Sequence, residues 1–113
     1  MSREYRLFLQ DTQASCLKIL RYTQDMSFDQ FKQNDLVYDA VLRNIEIIGE
    51  AVKNIPELVK IEHSEIDWRR IAGLRDIVTH HYFGIHDGMV WDVIVNKVPE
   101  LLDQITEILT NTD

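Results

Sequence analysis

The chain has 113 residues, of which 45% are apolar and 27% charged, and 12 basic residues stand against 19 acidic ones for a net charge of −7. That is the composition of one ordinary globular domain, expected to span 1–113, and it excludes a disordered, collagen-like or low-complexity chain. No apolar run approaches the ~20 residues that cross a bilayer, the acidic balance excludes a general basic field for nucleic acid, and one cysteine, Cys16, can form neither an internal disulfide nor a Cys-based zinc site.

The N-terminus, from Met1 to Arg6, carries no apolar stretch behind a basic start, so no signal peptide is expected and a reducing cytoplasm fits the chain. Tyr5, Leu9, Thr12, Cys16, Ile19 and Thr23 then recur in steps of three and four, which predicts a first long helix with Ser2 as its cap. Ser27 with Gln30 forms a capping box for a short helix around Phe28 to Lys32. The spacing of Val37, Val41, Ile45, Ile48, Val52 and Ile55 predicts a second long helix from about Asp35 to Asn54, which Pro56 stops. One further turn is expected from Pro56 to Ile61.

Ser64 or Asp67 is expected to cap a helix carrying Trp68, Ile71, Leu74, Ile77 and Val78, closed by Gly84. A last helix starts near Asp87 and runs to about Thr110, with Val90, Trp91, Ile94, Val98, Leu101, Ile105 and Ile108 inward. Pro99 falls inside that pattern, so a kink or restart is expected there. With no hairpin turn, repeat or linker in view, the fold class is all-α: an up-and-down bundle of four main helices with short helical turns between them.

Chemistry concentrates in one stretch. From Trp68 to His86 the chain places Arg69, Arg70, Arg75, His80, His81 and His86 against a single acid, Asp76. Within it, Arg75 precedes His80 by five positions and Tyr82 by seven. With seven arginines and four histidines, an Arg-x4-His spacing arises by chance roughly 0.25 times in a chain of this length, and a tyrosine at fixed offset lowers that to the order of 0.01.

Arg75-x4-His80-x-Tyr82 resembles the signature of the HEPN superfamily, and specifically of the HepT-like ribonuclease toxins. The segment Arg43-Asn44-Ile45-Glu46-Ile47-Ile48-Gly49-Glu50-Ala51 is similar to that family's other recurring stretch, and Trp68 and Trp91 fall where the family has them. The resemblance covers nearly the whole chain. It implies a helical bundle that forms a homodimer around the motif and cleaves RNA without a metal or other cofactor. It further implies an antitoxin partner of the minimal nucleotidyltransferase (MNT) type, which transfers AMP to Tyr82. Neither DNA nor a membrane is an expected partner.

Metal-independent RNA cleavage needs a base for the 2′-hydroxyl proton, an acid for the departing 5′-oxygen and fixed positive charge on the phosphate. His80 titrates near neutrality and suits proton transfer, and the forked guanidinium of Arg75 matches two phosphate oxygens. On a continuous helix position 80 stands about 140° around the axis from position 75, whereas 82 stands within about 20° of it. His80 therefore meets Arg75 if the helix ends or distorts near Thr79, or if a two-fold mate completes the site.

Asp76, His81 and Arg70 are candidates to orient the site or touch RNA. Arg43, Glu46 and Glu50 share one helical face and can pair with each other or with Arg75, and Gly49 allows a close helix approach. A metal cluster of His80, His81, His86 and Asp87 is disfavoured, since no pair has the i, i+4 spacing of a helical histidine site. Another class of function suits the same residues: a non-catalytic helical module binding a nucleotidyltransferase partner or a nucleotide through the basic stretch.

Overall fold

Each long apolar stripe becomes a helix, and the stripes meet along one core. The computed structural model describes residues 3–81 and 86–111, and of Arg3, His80 and His81 the backbone alone. The helices are α1 (Arg3–Tyr22), α2 (Phe28–Gln33), α3 (Asp35–Lys53), α4 (Glu57–Glu62), α5 (Trp68–Ala72), α6 (Leu74–His81), α7 (Asp87–Asp92) and α8 (Val98–Asn111), with a π-helical stretch over Val93–Lys97 joining the last two. The described residues thus form the expected all-α bundle: α1, α3, the α5–α6 rod and the α7–α8 rod are its four main members.

The bundle is ordered by α3, which packs against α1 on one side and against α5 and α6 on the other, while α8 closes on α1. Leu9, Cys16 and Ile19 of α1, Val41, Ile45, Ile48 and Val52 of α3, and Val98, Ile105 and Ile108 of α8 form the centre. Val37 is half-buried rather than inside, one turn from the start of α3. Thr12 and Thr23 occupy buried positions of the α1 stripe because their hydroxyls donate back to the Phe8 and Ile19 carbonyls, at 2.9 and 2.8 Å.

The capping box forms as expected. The Gln30 amide donates to Ser27 Oγ at 3.1 Å and the Ser27 amide to Gln30 Oε1 at 2.8 Å. Asn34 caps α3 by accepting from the Val37 amide at 3.0 Å, and Asn54 follows its last turn. The expected turn after Pro56 is α4. Ser2 and Gly84, expected as helix boundaries, lie outside the described residues.

The single helix expected around Trp68 to Val78 is instead two. Asp67, not Ser64, caps α5 by accepting from the Arg70 amide at 3.1 Å. At Gly73 ψ opens to −10°, and the Asp76 amide turns back to the Gly73 carbonyl at 3.0 Å, a 3₁₀-type bond that separates α5 from α6. Glycine, poorest of the non-proline helix formers, takes the change at small cost.

The adjustment for Pro99 comes ahead of it. The Val98 amide reaches the Val93 carbonyl, five residues back, and Pro99 then lies in the first turn of α8. The helix runs on without a break through this stretch, and the widened π turn just before Pro99 is where the backbone adjusts to the N–H that the proline lacks.

Candidate active site around Arg75

Arg75 stands in the first turn of α6, and its position follows from the contact of α6 with α3. Gly49, buried on α3, faces it directly: a Cβ there would collide with Arg75 Cγ and lie 3.2 Å from Arg75 Cδ and 3.3 Å from the Ala72 carbonyl oxygen. The aliphatic stem of the arginine thus lies in a notch that only glycine leaves open. Its head emerges beside the next residue of α3, and Arg75 Nη1 meets Glu50 Oε2 at 2.7 Å. Both side chains remain partly open to solvent, 43% for Arg75 and 55% for Glu50, so an incoming anion can reach the guanidinium.

The other members of that face are paired separately. Arg43 Nη1 and Glu46 Oε1 are 3.6 Å apart, one turn of α3 from Glu50. Arg43, Glu46 and Glu50 together line a hollow of about 270 Å³ between α1 and α3, with Phe8 and Asp11 opposite. Of the sequence candidates, the structure therefore groups Arg43 and Glu46 beside Arg75 through Glu50.

Asp76 is exposed on α6, and among the described residues its carboxylate makes no ion pair. Arg70 is exposed on α5 and borders a different groove, of about 550 Å³, whose walls include Ile71, Leu74, Ile77, Met89 and Val93. His86 is exposed at the start of α7, and His63, after α4, lies 3.8 Å from Glu65.

For His80 and His81 the backbone carries the information: α6 continues unbroken through both. The helix does not end before His80, so positions 75 and 80 of one chain stand about 140° apart on it. Tyr82 lies outside the described residues, and so do the side chains on which a metal cluster with His80 and His81 would depend.

Two features near this end of the bundle had no signature in the sequence. Tyr38 Oη donates to Asp87 Oδ1 at 2.5 Å, joining the start of α3 to the start of α7. Burial first, then the bond to Asp87 and its negative charge, push the Tyr38 phenol well above its ordinary pKa, so it remains a donor at neutral pH. Beneath it, the Phe31 ring stacks on Tyr38 with centroids 4.6 Å apart and leans on Trp91 at 5.4 Å. This aromatic cluster packs α2 and α3 against α7 through Trp91.

A protein-family model described as ribonuclease HepT-like matches residues 12–108. Similar proteins include one of Methanocaldococcus jannaschii provisionally named an RNase, 40% identical over 98% of this chain and 92% of its own length. Another, in Caldanaerobacter subterraneus and named in the same provisional way, is 38% identical over 92% of this chain and 93% of its own. A third, from Thermococcus cleftensis and provisionally named ribonuclease HepT, is 37% identical over 89% of this chain and 92% of its own. No solved structure matches the chain.

Proposed function

Because this chain belongs to the HepT-like ribonuclease family, we propose that it is a metal-independent endoribonuclease in which Arg75 holds the scissile phosphate and His80 moves the proton. The observation that carries the reading is the half-exposed Arg75 guanidinium at the head of a helix that continues unbroken through His80. A base takes the proton from a ribose 2′-hydroxyl, whose oxygen attacks the adjacent phosphorus. The bond to the 5′-oxygen breaks, that oxygen is protonated, and a 2′,3′-cyclic phosphate and a 5′-hydroxyl remain. Arg75 balances the charge that builds on the non-bridging oxygens.

The unbroken α6 favours a site completed by a second copy of the chain, since His80 and Arg75 of one helix diverge. In this reading the protein is the toxin of a toxin–antitoxin pair, and an MNT-type antitoxin silences it by transferring AMP to Tyr82. The added phosphate and bulk, two residues past His80, then compete with RNA for the arginine. Asp76, His81 and Arg70 extend the RNA-contacting surface, while Arg43 and Glu46 support the face behind it.

The test is RNA cleavage by purified protein in EDTA beside Arg75→Ala and His80→Ala. Cleavage that survives EDTA, leaves the cyclic phosphate and is lost in both variants is expected, from a protein that sediments as a dimer. Tyr82→Phe should accept no AMP from the antitoxin and ATP. A second reading, a non-catalytic module for a nucleotidyltransferase, is favoured by the net charge of −7 and by the carboxylate already on Arg75. No cleavage by protein whose intact mass shows Tyr82 unmodified would select it.

A further inference from the structure

We infer that Glu50 is the positioning residue for Arg75, and that it sets both the aim of the guanidinium and its appetite for phosphate. The inference rests on the proposed role of Arg75 as the phosphate-binding group. Three observations carry it. The notch at Gly49 confines the stem of the arginine, because anything larger there would collide with Cγ. Glu50, the next residue, takes one terminal nitrogen at 2.7 Å. The neighbouring cation on that face, Arg43, is matched by Glu46, so Glu46 and Glu50 divide one to each arginine.

An ion pair as exposed as this one, 43% and 55%, does little for stability. Its effect lies in geometry and charge. A guanidinium has five donors in a planar fork. With one terminal nitrogen committed to Glu50 and the stem seated in the notch, the plane of the fork is defined before RNA arrives, and the remaining edge faces the phosphate. The same carboxylate is a negative charge beside an anion site, so it opposes ground-state binding of RNA. Glu50 therefore acts in two separable ways: it raises turnover by orientation and weakens binding by repulsion.

Glu50→Gln and Glu50→Ala separate the two. Glutamine keeps an acceptor for Arg75 and removes the charge; alanine removes both. In the full-length protein, Glu50→Gln should lower KM for an RNA oligonucleotide by about threefold or more and keep kcat within about threefold, because one adjacent like charge is gone while the bond remains. Glu50→Ala should lower KM similarly but reduce kcat by about tenfold or more, as expected for a misaimed catalytic group. A nitrogen-15 NMR spectrum supplies a readout independent of activity. The Arg75 Nε–H signal should be sharp and dispersed in wild type and in Glu50→Gln, and merge with the solvent-averaged arginines in Glu50→Ala.

Thermal melts should coincide for all three proteins. Unchanged kcat and KM in Glu50→Ala with Arg75→Ala inactive would overturn the inference and leave the ribonuclease reading standing. Wild-type cleavage by Arg75→Ala would overturn both. An Arg75 signal in Glu50→Ala identical to that of wild type would overturn the positioning role whatever the kinetics.

Discussion

Tyr38 gives its phenolic proton to Asp87 across 2.5 Å, and this one bond joins two helix starts that are 49 residues apart in the chain. The phenol is buried, so its loss exposes no compensating water-bonded site on the tyrosine side. Asp87 is the first residue of α7. The bond thus ties the start of α7 to the core packing of α3.

Tyr38→Phe should reduce unfolding free energy by about 1.5–3 kcal/mol, the range for a hydrogen bond to a charged group. Urea denaturation at neutral pH measures it. The pH dependence has a definite sign. Because the folded-state pKa of Tyr38 is raised, its contribution is complete below the unfolded value of about 10 and is lost as pH rises towards the folded value. Wild type should therefore lose stability faster than Tyr38→Phe above about pH 10.

Cys16 provides a second, chemical reading of the core. Its side chain is fully buried, and burial pushes the thiol up to about 12. At pH 8 the native protein should react with a thiol reagent only through opening, at a rate that denaturant accelerates. Rapid stoichiometric labelling without denaturant would contradict the burial of α1 against α3 and α8.

Phe31 is fully buried between Tyr38 and Trp91. Phe31→Ala should cost about 3–5 kcal/mol, as for other large aromatic deletions in a core. Near-ultraviolet circular dichroism of Trp91 should change with it, since that ring loses its neighbour.

The reciprocal bonds of Ser27 and Gln30 stand at the surface, so their effect is local. Ser27→Ala should cost about 1 kcal/mol, and Ser27→Asp should restore most of it by retaining an acceptor for the Gln30 amide. Equilibrium denaturation of the pair tests this without interference from the candidate site.

Those caps and stripes were legible because their causes are local. Ser27 and Gln30 are three residues apart, and Leu9, Cys16 and Ile19 repeat at the helical period whatever surrounds them. The division at Gly73 was not legible: Trp68, Ile71, Leu74 and Val78 keep their spacing across it, and the break resides in one ψ angle. At the site, the motif itself stood out in the sequence, but Glu46 and Glu50 were equivalent partners for Arg75. The crossing of α6 over Gly49 distinguishes them, since it delivers the arginine to Glu50 while Arg43 meets Glu46 one turn away. Tyr38 and Asp87 had no pattern to announce them, because a pairing over 49 positions depends on the whole bundle.

Gly49 also bears on any attempt to make this protein more heat-resistant. A glycine inside a helix is less stable than alanine by about 0.5–1 kcal/mol, and α3 carries one, buried, in its C-terminal half. Helix propensity would nominate that position among the first to change. Yet the methyl group of alanine would take the space that Arg75 Cγ occupies, so the gain in helix stability would come with a displaced arginine. The weak point of α3 is thus a margin of stability given up for the site, and the better targets for stabilisation are exposed positions elsewhere on the bundle.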